Sequence, residues 1–166
     1  ILIILGRNKN NISNHFDSVP ELEANLLTKG AHDKLRSVQR STELADSHFV
    51  RQGEPKGLGH AVLRARHHVE DATFAVMLGD DLIDERDPLL NRMLEAHDRH
   101  GASVIALLEV SPEISHLYGM ATVEPFVGDP DLVRVTGLVE KPPQGTAPSN
   151  FAIIGRYVLQ PQIFDV

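Results

Sequence analysis

The sequence contains no cysteine among its 166 residues, which excludes disulfide bonds and thiolate metal sites. Basic residues are scarce: 16 Lys and Arg stand against 23 Asp and Glu, giving a net charge of −7. This deficit argues against broad binding to nucleic acid or to an anionic membrane, because both need a basic surface. Apolar runs approaching the roughly 20 residues of a membrane-spanning helix are missing, as is a visible signal peptide. We therefore expect a cytoplasmic protein.

Apolar residues make up 42% of the chain, enough to give one domain a real core. The chain begins at Ile1 inside an apolar, strand-like run and stops at Val166 shortly after another apolar segment. Natural domain ends are usually polar and loosely held. We therefore expect residues 1–166 to be a partial domain from a longer protein.

Strand and helix patterns alternate along the first part of the chain. Apolar runs predict strands at residues 1–5, 48–52, 74–78, 103–110, 120–123, 133–139 and 152–159. Helical spacing predicts helices at residues 9–16, 20–30, 33–44, 60–69 and 87–100. This alternation indicates βαβ units, so we expect an α/β fold with a mixed, mostly parallel sheet and helices on both faces.

Residues 74–81 read F-A-V-M-L-G-D-D, an apolar strand that runs into a glycine and two carboxylates. In open α/β sheets, ligands collect beyond the carboxyl ends of the strands. Carboxylates at such a place suit a hard divalent cation that also contacts phosphate oxygens. The alternative is that Asp80 and Asp81 only end the strand and cap the segment that follows.

The loop at residues 53–59, G-E-P-K-G-L-G, lies between a predicted strand and a predicted helix. Its glycines allow the backbone to approach a ligand closely, although it matches neither the Walker loop nor the dinucleotide fingerprint. Gln52, just before it, carries both donors and an acceptor, as needed to read the edge of a nucleobase. The alternatives are a flexible turn and a surface glutamine.

Glu140 and Lys141 follow another predicted strand, and Pro142 prevents further pairing. A carboxylate and an ammonium held there can bind sugar hydroxyls and a phosphate. The alternative is a surface ion pair of little energetic consequence.

The nine histidines predict no metal site, because His67 and His68 are helix neighbours that face different ways and His60 lacks further ligands. We expect them to be exposed or hydrogen-bonded.

Five segments together resemble a known family. They are R-Q-G-E-P-K-G-L-G-H-A (51–61), F-A-V-M-L-G-D-D (74–81), L-Y-G-M (117–120), L-V-E-K-P (138–142) and A-P-S-N-F-A-I-I-G-R-Y (147–157). In this order and at these spacings they are similar to the bacterial UTP–glucose-1-phosphate uridylyltransferases, within the sugar-nucleotide pyrophosphorylases. The resemblance implies a Rossmann-like fold that makes UDP-glucose and pyrophosphate from UTP and glucose 1-phosphate with Mg²⁺.

The resemblance also implies roles for single residues. Asp80 would be the metal ligand, and Lys141 would meet the phosphate as the second catalytic residue. The implied substrate-binding residues are Gln52 and Gly57 at uracil, Gly119 and Glu140 at glucose, and Asn150 and Ile153 along the sugar side. The role of Asp81 stays open: it would either support the metal ligand without binding the metal or cap the next segment.

One departure from the family is the missing glycine-rich, basic loop that clamps the triphosphate near the family's start. A later metal-binding acid is missing too, as are the C-terminal helices that the family often uses in oligomer contacts. We therefore expect residues 1–166 alone to be inactive. We expect the full-length protein to be a homo-oligomer. Three other interpretations stay open: a pyrophosphorylase for another base or sugar, such as dTTP; a non-catalytic sensor of UDP-sugars; and a metal-dependent glycosyltransferase.

Overall fold

The computed structural model describes residues 1–165. The chain forms two compact units, one spanning Ile1–Glu70 and the other beginning at Asp71. None of the helices within residues 1–165 is long and apolar enough to cross a membrane.

The first unit combines a small parallel sheet with five helices in its described residues. Its elements are β1 (Leu2–Leu5), α1 (Asn10–Phe16), α2 (Pro20–Thr28), α3 (His32–Glu43), β2 (His48–Arg51), α4 (Leu58–Leu63) and α5 (Arg66–Val69). β1 and β2 pair in parallel, from Leu2 opposite His48 to Leu5 opposite Arg51. The Gln52 N–H donates to the Leu5 carbonyl at 3.0 Å, so the pairing extends past the end of β2.

The helix predicted at residues 60–69 is instead two short helices. The Ala65 N–H donates to the Val62 carbonyl at 2.9 Å, three residues back. This tighter bond interrupts the α-helical ladder. α5 ends at Val69 and is followed by the C-cap residue Glu70, which has a φ of 55°. The prediction of one continuous helix was wrong because its apolar spacing does not reveal this local break.

The described residues of the second unit, up to Asp165, form a five-stranded sheet, one α-helix and two 3-10 turns. Its elements are β3 (Phe74–Met77), α6 (Leu89–His100), β4 (Val104–Glu109), a 3-10 turn (Ser115–Leu117), β5 (Gly119–Pro125), β6 (Val133–Glu140), β7 (Phe151–Leu159) and a 3-10 turn (Pro161–Asp165). The strand order is β3-β7-β5-β6, and β4 also pairs with β7. β7 is therefore the central strand, with three partners.

The core of the second unit lies against β7. Val158 is fully buried and packs with Met93 of α6 and Ala106 of β4. A second cluster joins Ala152 of β7 to Met120 of β5. Burying these apolar side chains removes their surface from water and holds the strands around β7.

The expected mixed α/β class is confirmed, but the expected balance of strand directions is not. Within residues 1–165 the β1–β2 pairing is parallel, whereas every pairing in the five-stranded sheet is antiparallel. The alternating pattern predicted βαβ units and a mostly parallel sheet, which would include β3 and β4. In the structure each pairs instead with β7, a strand from much later in the sequence.

Candidate functional site

The carboxyl ends of β1 and β2 border a cavity in the first unit. The cavity has a volume of about 640 Å³ and is lined by Gly6, Arg7, Arg51, Gly53, Glu54 and Pro55. Arg51 links β2 to the segment that follows β1. Its guanidinium donates to the Gly6 carbonyl at 3.2 Å and to Asn10 Oδ1 at 2.7 Å. The cavity lies where ligands are expected in a parallel α/β arrangement, and sequence reasoning did not single out either arginine.

Gln52 directly follows β2, and its side chain is held by the loop that comes after it. Its Nε2 atom lies 3.1 Å from the Gly57 carbonyl oxygen and 3.1 Å from His60 Nδ1. Its Oε1 atom has no hydrogen-bond partner among residues 1–165. The side chain is half-buried, so the sequence-based alternative of a loose surface glutamine does not describe it.

Gly57 has φ 94° and ψ −179°, a backbone conformation open essentially to glycine alone. A Cβ there would meet nothing within 4 Å. The requirement for glycine therefore comes from the backbone dihedrals and not from crowding inside the chain. The turn directs the Gly57 carbonyl toward both Gln52 and the Ala61 N–H, which donates to it at 3.2 Å.

In the second unit, the turn Leu78–Asp81 is clamped by two consecutive residues of β7. The Leu78 N–H donates to the Gly155 carbonyl at 2.9 Å, and the Gly155 N–H donates to the Asp81 carboxylate. The Arg156 guanidinium donates to the Leu78 carbonyl at 3.2 Å and to the Asp81 carbonyl at 2.7 Å. We call this arrangement the β7 clamp.

Gly155 is essential to the packing of the clamp. A Cβ at this position would lie 2.6 Å from Leu78 Cβ and 2.8 Å from Leu78 Cγ, far closer than atoms can pack. It would also collide with the Asp81 carboxylate. Only a residue without a side chain lets the turn lie this close to β7.

The clamp separates the two adjacent carboxylates. Asp81 is half-buried and bound to a backbone N–H, whereas Asp80 is exposed and its carboxylate has no partner among the described residues. Asp81, left open by sequence reasoning, thus holds the turn. Asp80 remains available for a cation. Residues 1–165 contain no cluster of three or more His, Asp or Glu side chains that could hold a metal without other ligands.

Gly119, Glu140 and Ile153 lie together, although they come from three strands. Gly119 is opposite Glu140 in the β5–β6 register. A Cβ on Gly119 would lie 3.0 Å from Glu140 Oε2 and 3.3 Å from Ile153 Cδ1. The glycine therefore leaves just enough space for the Glu140 carboxylate to lie over β5.

Lys141 adopts a φ of 44°, and its N–H donates to the Tyr118 carbonyl at 3.1 Å. Its exposed ammonium forms no ion pair within residues 1–165, so the sequence-based alternative of a Glu140–Lys141 ion pair is not realised. Asn150 lies just before β7, where its carbonyl accepts the Val110 N–H at 2.9 Å. The exposed Asn150 side chain makes no hydrogen bond with a described residue, so its predicted place on the sugar side stays a prediction.

Tyr157 is a residue that sequence reasoning did not single out, although it ends the last of the five segments. Burial raises the pKa of its phenol, and the negative charges of Asp81 and Glu140 raise the pKa further. Both carboxylates therefore lie within electrostatic reach of the same side chain. The phenol keeps its proton at neutral pH and can act as a donor.

Comparison with known proteins identifies a family for the chain. The model of the family described as nucleotidyl transferase matches residues 9–166. The chain is 45% identical to a UTP–glucose-1-phosphate uridylyltransferase of Bacillus subtilis over 164 residues, which covers 99% of this chain and 56% of that protein. The chain thus spans a little over half the length of this relative.

Solved structures give the same result. A UTP-bound UGPase from Acinetobacter baumannii matches 99% of this chain and 59% of its own, with a TM-score of 0.87 and 36% identity. A UDP-glucose pyrophosphorylase complexed with UDP-glucose matches 99% of this chain and 59% of its own, with a TM-score of 0.80 and 35% identity.

Proposed function

The chain belongs to the nucleotidyl transferase family, and we propose that it carries out part of the transfer of a uridylyl group from UTP to glucose 1-phosphate. The products are UDP-glucose and pyrophosphate. The observation that carries the proposal is the β7 clamp, which fixes a turn of the backbone and leaves the Asp80 carboxylate unpaired at its surface. The similarity to a UTP–glucose-1-phosphate uridylyltransferase, to a UTP-bound UGPase and to a UDP-glucose pyrophosphorylase complexed with UDP-glucose supports the choice of substrates.

The first unit contributes recognition of the base. Gln52 has an unpaired amide oxygen, which can accept the N–H of a uracil ring. Gly57 lacks a side chain and its surroundings are open, so a flat ring can lie against the loop. The cavity beside Gln52, with Arg7 and Arg51 in its lining, offers room and positive charge for a nucleotide.

Asp80 and Lys141 contribute the charge compensation. A single carboxylate with further ligands from substrate phosphates and water is the usual protein environment of Mg²⁺, so Asp80 fits that ion. When bound, Mg²⁺ would neutralise negative charge on the nucleotide phosphates. The unpaired Lys141 ammonium can hold the phosphate of glucose 1-phosphate, whose oxygen attacks the α-phosphorus of UTP while pyrophosphate leaves in line. Alignment and charge compensation suffice for such a transfer, and no side chain acts as a nucleophile.

Glu140 contributes recognition of the sugar. Its carboxylate, placed over Gly119 and beside Ile153, can accept hydrogen bonds from glucose hydroxyls. Asn150 would add a polar group on the same side. Cytoplasmic location and assembly of the full-length protein into a homo-oligomer complete the proposal; the reducing conditions of the cytoplasm suit a chain without cysteine.

Replacing Asp80→Asn tests the proposal in the protein expressed from its complete reading frame. We expect kcat/KM for pyrophosphate release from UTP and glucose 1-phosphate to fall by about a hundredfold or more, because the metal ligand loses its charge. Binding of Mn²⁺, followed by electron paramagnetic resonance, should weaken in parallel. Asp84→Asn is the matched control, since Asp84 is also an acid close to the turn but is paired with Arg86 at 2.7 Å.

The same assay separates the alternatives. Faster turnover with dTTP or with another sugar 1-phosphate would identify a related pyrophosphorylase, and release of UDP in place of pyrophosphate would identify a glycosyltransferase. Tight UDP-glucose binding by a wild-type protein without turnover would identify a sensor. Unchanged turnover in Asp80→Asn would contradict the role of Asp80.

A further inference from the structure

The orientation of the Gln52 amide is fixed by a backbone group. Its Nε2 atom lies 3.1 Å from the Gly57 carbonyl oxygen. A carbonyl oxygen only accepts hydrogen bonds, so the amide atom facing it must be the NH₂ group, and the reversed amide would place two oxygens against each other. Oε1 must therefore lie on the opposite side of the amide.

This orientation determines the tautomer of His60. The NH₂ group has two hydrogens, and the second is directed at His60 Nδ1, 3.1 Å from Nε2. A ring nitrogen facing a donor must supply a lone pair. His60 is therefore neutral, with Nδ1 as the acceptor and its proton on Nε2. Both donors of Gln52 are then used within the loop, and only the acceptor Oε1 remains for a ligand.

We propose that His60 is a positioning residue that makes the Gln52 loop selective for a base with an N–H at its pairing edge. Uracil has such an N–H at ring position 3, which Oε1 can accept. Cytosine has a lone pair at that position, which would meet Oε1 without a hydrogen between them. The inference rests on the proposed nucleotide binding and adds the group that sets base selectivity.

His60 is needed for this selectivity because the Gly57 carbonyl satisfies only one of the two amide hydrogens. Without the Nδ1 acceptor, the second hydrogen loses its partner in a half-buried position. The Gly57 carbonyl keeps the first hydrogen, and the freed second hydrogen can then be donated to an acceptor on the ligand, such as the lone pair of cytosine. Base discrimination should weaken even though Gln52 itself is unchanged.

The first experiment tests the tautomer without any nucleotide. In ¹⁵N-labelled protein, His60 should show the ¹⁵N shift of an unprotonated Nδ1 and a protonated Nε2. A scalar coupling should also join His60 Nδ1 to Gln52 Nε2 across the N–H···N hydrogen bond. A protonated Nδ1 at neutral pH, or the absence of the coupling with both resonances assigned, would overturn the inference and leave the proposed function untouched.

The second experiment compares UTP and CTP binding to the protein expressed from its complete reading frame, by isothermal titration calorimetry. In His60→Leu the preference for UTP should fall by about tenfold, the effect expected for one lost hydrogen bond in the binding site. In His60→Asn it should stay within about twofold of wild type, because Asn Oδ1 can take the place of Nδ1 as acceptor. His67→Leu, an exposed histidine of α5, is the matched control and should leave the preference unchanged.

Each outcome tests either the role of His60 or the proposed recognition of uridine. An undiminished UTP preference in His60→Leu would disprove the role of His60 and leave uridine recognition intact. Equal losses in His60→Asn and His60→Leu would mean that the ring matters by its shape, which also rejects the acceptor role. A wild-type protein without preference for UTP would refute the proposed function itself, while the ¹⁵N measurement would still report the tautomer.

Discussion

The Gln52 loop of the first unit and the Asp80 turn of the second unit are held in place in different ways. The Gln52 side chain bonds to Gly57 and His60, which lie 5 and 8 positions further along the chain. The Asp80 turn bonds through the β7 clamp to Gly155 and Arg156, over sequence separations of 74, 75 and 78 positions. The position of the Gln52 side chain therefore depends on one local turn, whereas the Asp80 turn depends on β7 being in place. This difference predicts that mutations will disturb the two regions to different extents.

The largest effect is expected for Gly155→Ala. The added methyl group collides with Leu78 and displaces the Asp81 carboxylate, which should lower the free energy of unfolding by about 3 kcal/mol. Gly79→Ala is the matched control, because a Cβ at Gly79 meets nothing within 4 Å and its φ is ordinary. Chemical denaturation measures the loss, and amide hydrogen exchange should locate it in β3 and β7. A loss equal to that of Gly79→Ala would show that the clamp does not hold the turn.

A smaller effect is expected for Arg156→Met, which keeps much of the apolar stem but removes the guanidinium. The Leu78 and Asp81 carbonyls lose their donor, and we expect a destabilisation of about 2 kcal/mol. Arg134→Met serves for comparison, since Arg134 is an exposed arginine of β6 without a hydrogen-bond partner among residues 1–165. The two variants can be compared by urea unfolding. If Arg134→Met proves as damaging as Arg156→Met, the long-range clamp is not what stabilises this region.

The smallest effect is expected for Gly57→Ala in the local loop. An alanine at φ 94° is strained, which should cost about 1 kcal/mol or shift the turn. The Gln52 amide would then lose its carbonyl partner, so its ¹⁵N side-chain resonances should move. Gly59→Ala, with ordinary φ and free space, should leave those resonances in place. Increased hydrogen exchange in β7 exceeding that in the loop would contradict the local character of this region.

Much of the fold could be predicted from the sequence where the signals are local. Apolar runs gave the positions of the strands, because each buried run needs only its own residues to be recognised. The end of α6 at Gly101, with a φ of 58°, follows the predicted helix stop. Its start was predicted at Asp87-Pro88 and lies at Leu89, where the Asp87 carboxylate accepts the first N–H at 3.0 Å.

Direction of strand pairing could not be predicted, because periodicity shows which face of a strand is buried and not which strand lies beside it. The antiparallel partners of β3 and β4 come from the last strand of the chain. Arg156 and Tyr157 were missed for the same reason. Their side chains gain a role only beside Asp81 and Glu140, which lie far away in sequence.

The sequence by itself determined the strand positions, the glycine at the start of α4, the pair of carboxylates after β3 and the family these segments resemble. The tertiary structure decided which of the two carboxylates is free, since only the insertion of β7 brings the Gly155 N–H to Asp81 and leaves Asp80 unpaired. The physical reason is that hydrogen bonds and close packing act over a few ångströms, and only folding brings residues more than seventy positions apart within that distance.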